Sequence, residues 1–448
     1  MRKSYLRAMA RTRSGILRIP PAKLLLLGYA SYTALGWALL CLPLSQAVPV
    51  GALDALFIAA SAVSTTGLVT VDPGTSFTGF GEGVILALIQ LGGLGYMTFG
   101  SFAVLAISHG LTGIRARTTR TAFNLPASVD PAAFLRAVIL FTLVVETIGA
   151  LVLWSIFASA GTPQPLWEAV FHSVSAFCTA GFSLFPTGLE GFRGHWGANL
   201  TISALCLLGA MGFLIVLDGW RTLTGQARFI GFTSKVIARF TLAFMLVGTA
   251  LLFVADPGIA ALPEDERLLA AFFQTMTAST TVGFNTYPIG AVGAAGVMVL
   301  LFLMIVGASP AGTGGGLKTT SFAALVGLVR STLKGRDQVR YAKRPVPAAR
   351  LQTATASLAW YGALMFGAMF LLFLTEPGAR FDHVMFEVVS AMGTVGLSMG
   401  LTGGLTDLGK IVVIVLMTAG RVGILTFGIA LATRDETPEE IADNDLVV

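Results

Sequence analysis

The sequence has few charged residues. Asp, Glu, Lys and Arg make up 12% of its 448 residues, whereas 55% are hydrophobic and the mean hydropathy is +0.80. A soluble domain carries about 25% charged residues, so an ordinary soluble protein is excluded. The long apolar runs instead predict a protein that crosses a membrane several times.

Cysteine and histidine are scarce as well. The three cysteines, Cys41, Cys178 and Cys206, lie in apolar sequence without CxxC spacing, and the four histidines have no metal-ligand spacing. A disulfide framework and a metal centre are therefore not expected. The basic residues 1–23 lack an A-x-A-like cleavage site, which predicts a retained cytoplasmic tail and not a signal peptide.

What the sequence does contain is one short pattern, Thr-x-Gly, that occurs four times. The glycines lie 114, 102 and 113 residues apart, and each follows a phenylalanine by ten residues, a hydroxyl residue by six and an alanine by five. The four segments are Thr65-Thr66-Gly67, Thr179-Ala180-Gly181, Thr281-Val282-Gly283 and Thr394-Val395-Gly396. Matched columns at such even spacing predict four covalently joined repeats.

Each repeat reads as an apolar helix, a short re-entrant segment and a second apolar helix. Helices of about 20 residues span the hydrocarbon, whereas the middle segments are too short to cross. We therefore predict an all-α membrane protein with four linked M1–P-loop–M2 repeats, eight transmembrane helices and four re-entrant pore loops around one central pore. The predicted divisions are a basic cytoplasmic tail (1–22), repeats 1 to 4 (23–110, 132–219, 235–331 and 350–433) and an acidic cytoplasmic tail (434–448). The second helices are predicted over Val84–Ile107, Ala198–Leu217, Val292–Val329 and Ile411–Ala432.

The distribution of basic residues predicts the orientation. With both termini cytoplasmic, 25 Lys and Arg residues fall on the inner side and 4 on the outer side, as the positive-inside rule requires. All four Thr-x-Gly segments then enter from the outside. We expect a multi-pass protein of the plasma membrane, in which the basic linkers are topological signals and not nucleic-acid sites.

The Thr-x-Gly segments have the composition of a cation path. A cation that loses its water needs close oxygens, which backbone carbonyls supply where the chain is extended. Glycine permits the backbone angles, and the preceding half-helix points its partly negative end at the centre. We expect the carbonyls of Thr66, Ala180, Val282 and Val395 to bind the ion. No acidic residue occupies these columns, which favours a monovalent ion; the alternative is that the glycines only pack helices.

The second apolar segment of repeat 3 is interrupted by a glycine-rich segment, and no other repeat contains such a run. It comprises Gly307, Ala308, Ser309, Pro310, Ala311, Gly312, Thr313, Gly314, Gly315, Gly316, Leu317, Lys318, Thr319 and Thr320. Because this composition cannot stay helical, we predict a mobile gate below the filter, with a static kink as the alternative. A phosphate-binding loop is disfavoured, because no strand precedes it and its glycines are one residue too close.

Arg421 lies eleven residues into the last predicted helix, a costly depth for a charge that suggests function. Three interpretations are open: it repels or gates cations at the axis, it pairs with oxygens of the glycine-rich segment, or it is a structural anchor. Glu146 and Glu387 are expected to brace helices. The column nine residues before the glycines is too varied for a symmetric site, since it holds Ile58, His172, Gln274 and Glu387.

The sequence resembles the Trk/Ktr/HKT superfamily of potassium transporters. The resemblance lies in the four fused units, the single glycine in each Thr-x-Gly segment, the glycine-rich break in repeat 3 and the arginine in the last helix. The resemblance covers about Lys23 to Thr433 and is strongest to the ion-translocating membrane subunit of bacterial Ktr systems. It implies potassium uptake across the bacterial inner membrane, with K⁺ as the transported ion, sodium symport left open and no organic cofactor. It implies selectivity at Gly67, Gly181, Gly283 and Gly396 and a gate at 308–320 beside Arg421.

The resemblance further implies a homodimer with one pore per subunit on a cytoplasmic ring of RCK-type regulatory subunits that bind nucleotide. One glycine per repeat and a varied preceding residue predict a shorter, less symmetric filter than in tetrameric potassium channels. Competing hypotheses are a secondary transporter with its substrate at the broken helix, an enzyme such as a membrane ATPase, and a pump subunit driven by a separate ATPase. Four segments of one orientation favour the pore, and no catalytic constellation favours an enzyme.

Overall fold

The computed structural model describes residues 21–95, 131–212, 215–216, 218–219, 222, 230–307, 309–310 and 312–431. Most of the basic tail, the first cytoplasmic linker, Ala308, Ala311 and the acidic tail therefore lie outside the described residues. Within them the chain is helical apart from one two-stranded hairpin. The predicted helical membrane class is confirmed.

Fourteen helices of eight residues or more form the described part of the chain, together with one hairpin. The helices are α1 (Pro21–Leu40), α2 (Ala52–Ser64), α3 (Gly79–Leu94), α4 (Pro131–Ser159), α5 (Pro165–Phe177), α6 (Trp196–Met211), α7 (Phe232–Ala255), α8 (Glu264–Thr280), α9 (Ala294–Ile305), α10 (Thr319–Thr332), α11 (Ala348–Thr375), α12 (Phe381–Gly393), α13 (Asp407–Val422) and α14 (Ile424–Leu431). The strands are β1 (Arg340–Tyr341) and β2 (Arg344–Pro345), paired antiparallel.

Four helices are long and apolar enough to cross a membrane, and they are the first helices of the four predicted repeats: α1, α4, α7 and α11. A fifth span is possible if the bent pair α13 and α14 is counted as one. Only 22–28% of each long span is buried inside the protein, so most of its apolar surface faces outward. This arrangement suits contact with lipid tails, since the backbone polar groups are satisfied within the helix.

The four short helices α2, α5, α8 and α12 lie in the core. They contain 13, 13, 17 and 13 residues, too few to cross hydrocarbon. Their phenylalanines at the matched column are completely buried, as are the matched alanines five residues before each glycine. The buried columns are Phe57, Phe171, Phe273 and Phe386, and Ala62, Ala176, Ala278 and Ala391.

The second helices of repeats 1, 2 and 4 end earlier than the sequence predicts. Helices α3, α6 and α13 end just before Gly95, Gly212 and Gly423, which have φ angles of 81°, 89° and 95°. The chain bends by 106° between α13 and α14. The prediction of one unbroken helix over Ile411–Ala432 is therefore wrong.

The sequence contains a signal for these breaks. The three helices end in Gly-x-x-Gly (92–95, 209–212 and 420–423), whereas α9 ends at Ile305, two residues before Gly307. The first glycine of each Gly-x-x-Gly motif packs against the backbone of a short helix, where a Cβ would collide with a carbonyl oxygen. Those carbonyls belong to Val63, Phe177 and Met392, each four residues before a Thr-x-Gly glycine.

Candidate ion pathway

Each short helix ends one or two residues before the threonine of its Thr-x-Gly segment. All four threonines have left-handed backbones, with φ of 50° at Thr65, 53° at Thr179, 55° at Thr281 and 49° at Thr394. A β-branched residue rarely adopts this conformation, since its Cβ crowds the backbone. Such strain persists only where the surroundings hold it, and it concentrates at functional sites.

The backbone N–H groups of each segment point back to the short helix. The residue before the glycine donates to the carbonyl of the hydroxyl column at 2.8–3.0 Å in all four segments. The glycine N–H donates to the hydroxyl itself at Ser61 (3.1 Å), Thr277 (3.0 Å) and Ser390 (3.0 Å). In repeat 2, Ser175 instead donates to the carbonyl of Phe182 at 2.9 Å. The hydroxyl column, for which the sequence indicates no role, thus anchors the segments.

The four segments meet in a closed ring. A Cβ added at Gly67 would collide with the carbonyl oxygen of Ala180, and one at Gly181 with that of Val282. In the same way Gly283 faces the carbonyl of Val395, and Gly396 faces that of Thr66. The structure therefore brings together the four carbonyls predicted to bind the ion, in the order of the chain. Only glycine fits at these contacts, because any side chain would displace a neighbouring carbonyl.

The threonine hydroxyls add polar atoms to one side of the ring. The Oγ1 atoms of Thr65, Thr281 and Thr394 are buried and have no hydrogen-bond partner among the described residues. The fourth, on Thr179, donates to Thr313 of the glycine-rich segment at 3.1 Å. A buried hydroxyl without a partner is costly, so a ligand for these oxygens would be favourable. No group of three or more His, Cys, Asp or Glu side chains able to hold a metal occurs in the described part of the chain.

The glycine-rich segment lies on the threonine side of the ring. A Cβ at Gly315 would strike the side chain of Thr394, and one at Gly307 would lie 3.0 Å from that of Thr281. The chain leaves the helix after Ile305 and returns to it at Thr319, where the sequence predicts the break. The segment thus contacts three of the four Thr-x-Gly segments.

Hydrogen bonds attach the glycine-rich segment to the end of α6. The N–H groups of Ser309 and Thr313 donate to the carbonyls of Ala210 (3.2 Å) and Gly209 (3.1 Å). These carbonyls belong to the last turn of α6, which lacks partners within the helix. Within the segment, the ammonium of Lys318 donates to the carbonyl of Gly314 at 2.6 Å.

Arg421 pairs with backbone carbonyls. Its guanidinium donates to the carbonyls of Thr313 and Gly92, and to that of Gly93 at 3.0 Å. It therefore links the glycine-rich segment to the C-terminal end of α3, where the helix dipole favours a positive charge. Among the interpretations of Arg421, this geometry is that of pairing with the glycine-rich segment.

Glu146 braces the same region from α4. Its carboxylate accepts a hydrogen bond from Gln90 on α3 at 3.1 Å, and the thiol of Cys178 lies 3.4 Å from the Gln90 side-chain oxygen. Cys178 directly precedes Thr179, so this polar cluster supports the end of α5. The expectation that Glu146 holds helices together agrees with these contacts.

Comparison with known proteins identifies the family to which the chain belongs. The family model described as cation transport protein, TrkH, matches residues 38–439. Ktr system potassium uptake protein B of Bacillus subtilis (strain 168) is 35% identical over 442 residues, covering 96% of this chain and 97% of that protein. The protein of the same name from Vibrio alginolyticus is 34% identical, with 93% and 92% covered. Potassium/sodium uptake protein NtpJ of Enterococcus hirae is 32% identical, with 94% and 95% covered.

A solved structure shares the fold. The crystal structure of the potassium transporter TrkH from Vibrio parahaemolyticus matches with a TM-score of 0.73 and 20% sequence identity, over 91% of this chain and 83% of that one. The family match spans most of the chain, and the relatives are transporters and not enzymes. The chain therefore belongs to the TrkH family of cation transport proteins, within which it is similar to the Ktr potassium uptake proteins.

Proposed function

We propose that this chain takes up potassium through a channel-like pore whose selectivity filter is formed by the four Thr-x-Gly segments. The observation that carries the proposal is the closed ring in which each glycine faces the carbonyl of the next segment. Carbonyl dipoles without carboxylates suit a weakly hydrated monovalent cation. The names of the most similar relatives, potassium uptake proteins, support the same ion.

The filter assignment comprises Thr65, Thr66 and Gly67 with the equivalent residues of the other three repeats. In this assignment K⁺ binds the carbonyls of Thr66, Ala180, Val282 and Val395. The buried hydroxyls of the threonines supply further oxygens on the inner side. Eight transmembrane helices in four repeats surround the pore, with the boundaries predicted from the sequence and both termini in the cytoplasm.

We assign the gate to the glycine-rich segment (308–320) and Arg421. The segment contacts the inner side of the ring, and the guanidinium fastens it to α3 through Thr313 and Gly92. Opening then requires that these hydrogen bonds and those to α6 break together. Such bonds to backbone carbonyls can re-form without change in the rest of the fold, which suits a reversible closure.

Sodium and partner subunits complete the proposal. The relative named as a potassium/sodium uptake protein supports sodium-assisted uptake. The relatives named as components of a Ktr system support a second subunit, which we assign to a cytoplasmic RCK-type ring that binds nucleotide, below a homodimer of this chain.

Uptake of rubidium-86 tests the function. Proteoliposomes that contain the purified chain and internal potassium should accumulate the tracer, and external potassium should block uptake far more than external sodium. Protein-free liposomes are the control. If folded protein takes up no tracer even after a regulatory subunit is added, the proposal is wrong.

A further inference from the structure

Three buried side chains at one column hold the chain just beyond the filter glycines. His172, Gln274 and Glu387 stand nine residues before their glycines and are 0% exposed. A ring nitrogen of His172 lies 2.8 Å from the hydroxyl of Ser183. In the amide orientation that satisfies both ends, the oxygen of Gln274 accepts from the N–H groups of Thr286 (2.9 Å) and Tyr287 (3.0 Å).

Glu387 makes the most extensive of these contacts. One carboxylate oxygen accepts from the hydroxyl of Ser398 at 2.8 Å, and the other accepts from the hydroxyl of Thr402. Thr402 and Ser398 lie 3.0 Å apart, and the N–H of Gly400 donates to Ser398 at 3.0 Å. No ion pair to Glu387 occurs among the described residues. The side-chain hydrogen bonds of Glu387 therefore all come from residues that follow Gly396.

We infer that Glu387 is a positioning residue that sets ion selectivity from behind the filter, through Ser398 and Thr402. This inference rests on the proposed filter. The N–H of Gly396 is held by Ser390 on one side, and the chain two residues later is held by Glu387 on the other. Both attachments come from α12, so they fix the backbone between them. We call the hydrogen bonds from Glu387 to Ser398 and Thr402 the Glu387 clamp. The direction of the filter carbonyls in repeat 4 depends on this clamp.

The residues nine positions before the glycines differ chemically, but three of them have the same structural role, which is not apparent from the sequence. Histidine, glutamine and glutamate all reach about the same distance and can all pair with a hydroxyl or an N–H group. Repeat 1 has the apolar Ile58 at this position, so its stretch has no such attachment. The clamp is therefore unequal around the ring and strongest in repeat 4.

Glu387→Ala tests the clamp. The ratio of rubidium to sodium uptake should fall about tenfold, since hydrogen bonds to a charged group are among the stronger ones and a tenfold change corresponds to the loss of about one of them. Glu387→Gln should restore part of the ratio, because its amide oxygen can still accept from Thr402. Glu376→Ala is the matched control: its carboxylate is also buried in repeat 4 and accepts from Thr406, but it caps α13 and does not touch the filter. That variant should keep the ratio of the unmodified protein.

A second variant, Ser398→Ala with Thr402→Val, keeps the test valid if Glu387→Ala does not fold. It should lower the ratio by about the same factor, and combining it with Glu387→Ala should lower it no further, because all three side chains act as one unit. Folding is checked by the midpoint of thermal unfolding in detergent. An unchanged ratio of rubidium to sodium uptake in folded Glu387→Ala would overturn the inference. It would also be overturned if the combined variant lowered the ratio by the product of the two separate factors.

The two proposals fail in different ways. Unmodified protein that takes up no rubidium, or Gly283→Ser with unchanged selectivity, contradicts the filter itself. If the unmodified protein and Gly283→Ser behave as expected but the Glu387 variants do not, only the clamp is wrong.

Discussion

A threonine with a left-handed backbone, followed two residues later by a glycine with a positive φ angle, recurs four times at the centre of this molecule. The threonine supplies a hydroxyl, and the glycine leaves room for the carbonyl of a neighbouring segment. The strain at the threonine is offset by hydrogen bonds from the following N–H groups to the short helix. The residue types of the Thr-x-Gly segments and their backbone conformation therefore depend on each other.

Gly283→Ser should weaken the preference for potassium. The new Cβ would collide with the carbonyl of Val395, and the residue would also have to adopt a φ of 91°. We expect the ratio of rubidium to sodium uptake to drop about tenfold or more, equivalent to a loss of about 1.4 kcal/mol of discrimination. Gly362→Ser, on the outer face of α11 with open space around it, is the matched control. Equal ratios in both variants would contradict the filter assignment.

Glu190 gives a pH-dependent test on the side of the molecule that is predicted to face outward. It lies in the short helix Glu190–Phe192, outside the predicted spans, and accepts a hydrogen bond from Asn285 at 2.8 Å. Burial raises the pKa of its carboxyl, although the bond to Asn285 and the charge of Arg193 lower it in part. Since folding raises this pKa, the associated stability is fully present below the ordinary carboxyl pKa of about 4.3 and is lost as pH rises through the folded value.

Glu190→Gln keeps the acceptor oxygen and removes the ionisation. The variant should unfold at a higher temperature than the unmodified protein near about pH 7, and the difference should shrink towards about pH 4. Thermal unfolding in detergent across this range measures it. A difference that does not vary with pH would show that ionisation of Glu190 does not matter to stability.

At the scale of single residues, ion binding by the four carbonyls stays a prediction, although each of them faces a glycine of another Thr-x-Gly segment. The phenylalanine and alanine columns were also informative, since all eight side chains are buried. The role of Ser61, Thr277 and Ser390 could not be predicted, because it depends on the tight turn that brings the glycine N–H back to the hydroxyl. The same turn places Ser398 against Glu387, eleven residues away in sequence.

At the scale of elements, the ends of the second helices were the weakest prediction. The Gly-x-x-Gly motifs lie inside long apolar segments, so the pattern alone does not show that the helices end there. The reason becomes visible only in the packing: Gly92, Gly209 and Gly420 lie against carbonyls of the short helices, where no Cβ fits. The ends of α6 and α3 lie beside the glycine-rich segment and Arg421, to which their last carbonyls are hydrogen-bonded.

Deletion of residues 311–315 should raise the rate of rubidium uptake. The deletion removes Thr313, whose carbonyl accepts from Arg421 and whose hydroxyl donates to the carbonyl of Phe177 at 3.2 Å. Without these attachments the segment cannot stay against the inner side of the ring. Initial uptake rates, normalised to the amount of folded protein, are the measurement.

Thr313→Val provides a milder version of the same change. It removes the hydroxyl that contacts Thr179 and Phe177 but keeps the backbone carbonyl for Arg421, so its rate should lie between those of the deletion and the unmodified protein. Identical rates in all three, with normal thermal unfolding, would mean that the segment is a static break and not a gate.

At the scale of the whole molecule, the order of segments around the ring follows the order of the chain. Segment 1 abuts segment 2, and segment 4 closes on segment 1. Repeat spacing predicted four similar units, whereas the closure itself depends on contacts between glycines and carbonyls about 100 residues or more apart in sequence. The charge distribution predicted an orientation, and that prediction needs a membrane to be tested.

Protease access tests the orientation. The hairpin of β1 and β2 carries exposed Arg340 in β1 and exposed Lys343 at its turn, on the side predicted to be cytoplasmic. Trypsin should cut there in inside-out vesicles and leave the hairpin intact in right-side-out ones. Arg380, exposed on the opposite side, should show the reverse pattern. Cleavage of the hairpin from the outside would show that the predicted orientation is inverted.

The single-chain ring has an evolutionary consequence. In a ring assembled from four copies of one subunit, every substitution appears four times at once. Here each substitution alters one quadrant, so Thr66, Ala180, Val282 and Val395 were free to diverge while the facing glycines were not. Ion preference in such a protein can drift by small, separate steps, and a gene duplication that fused the units would have opened that route.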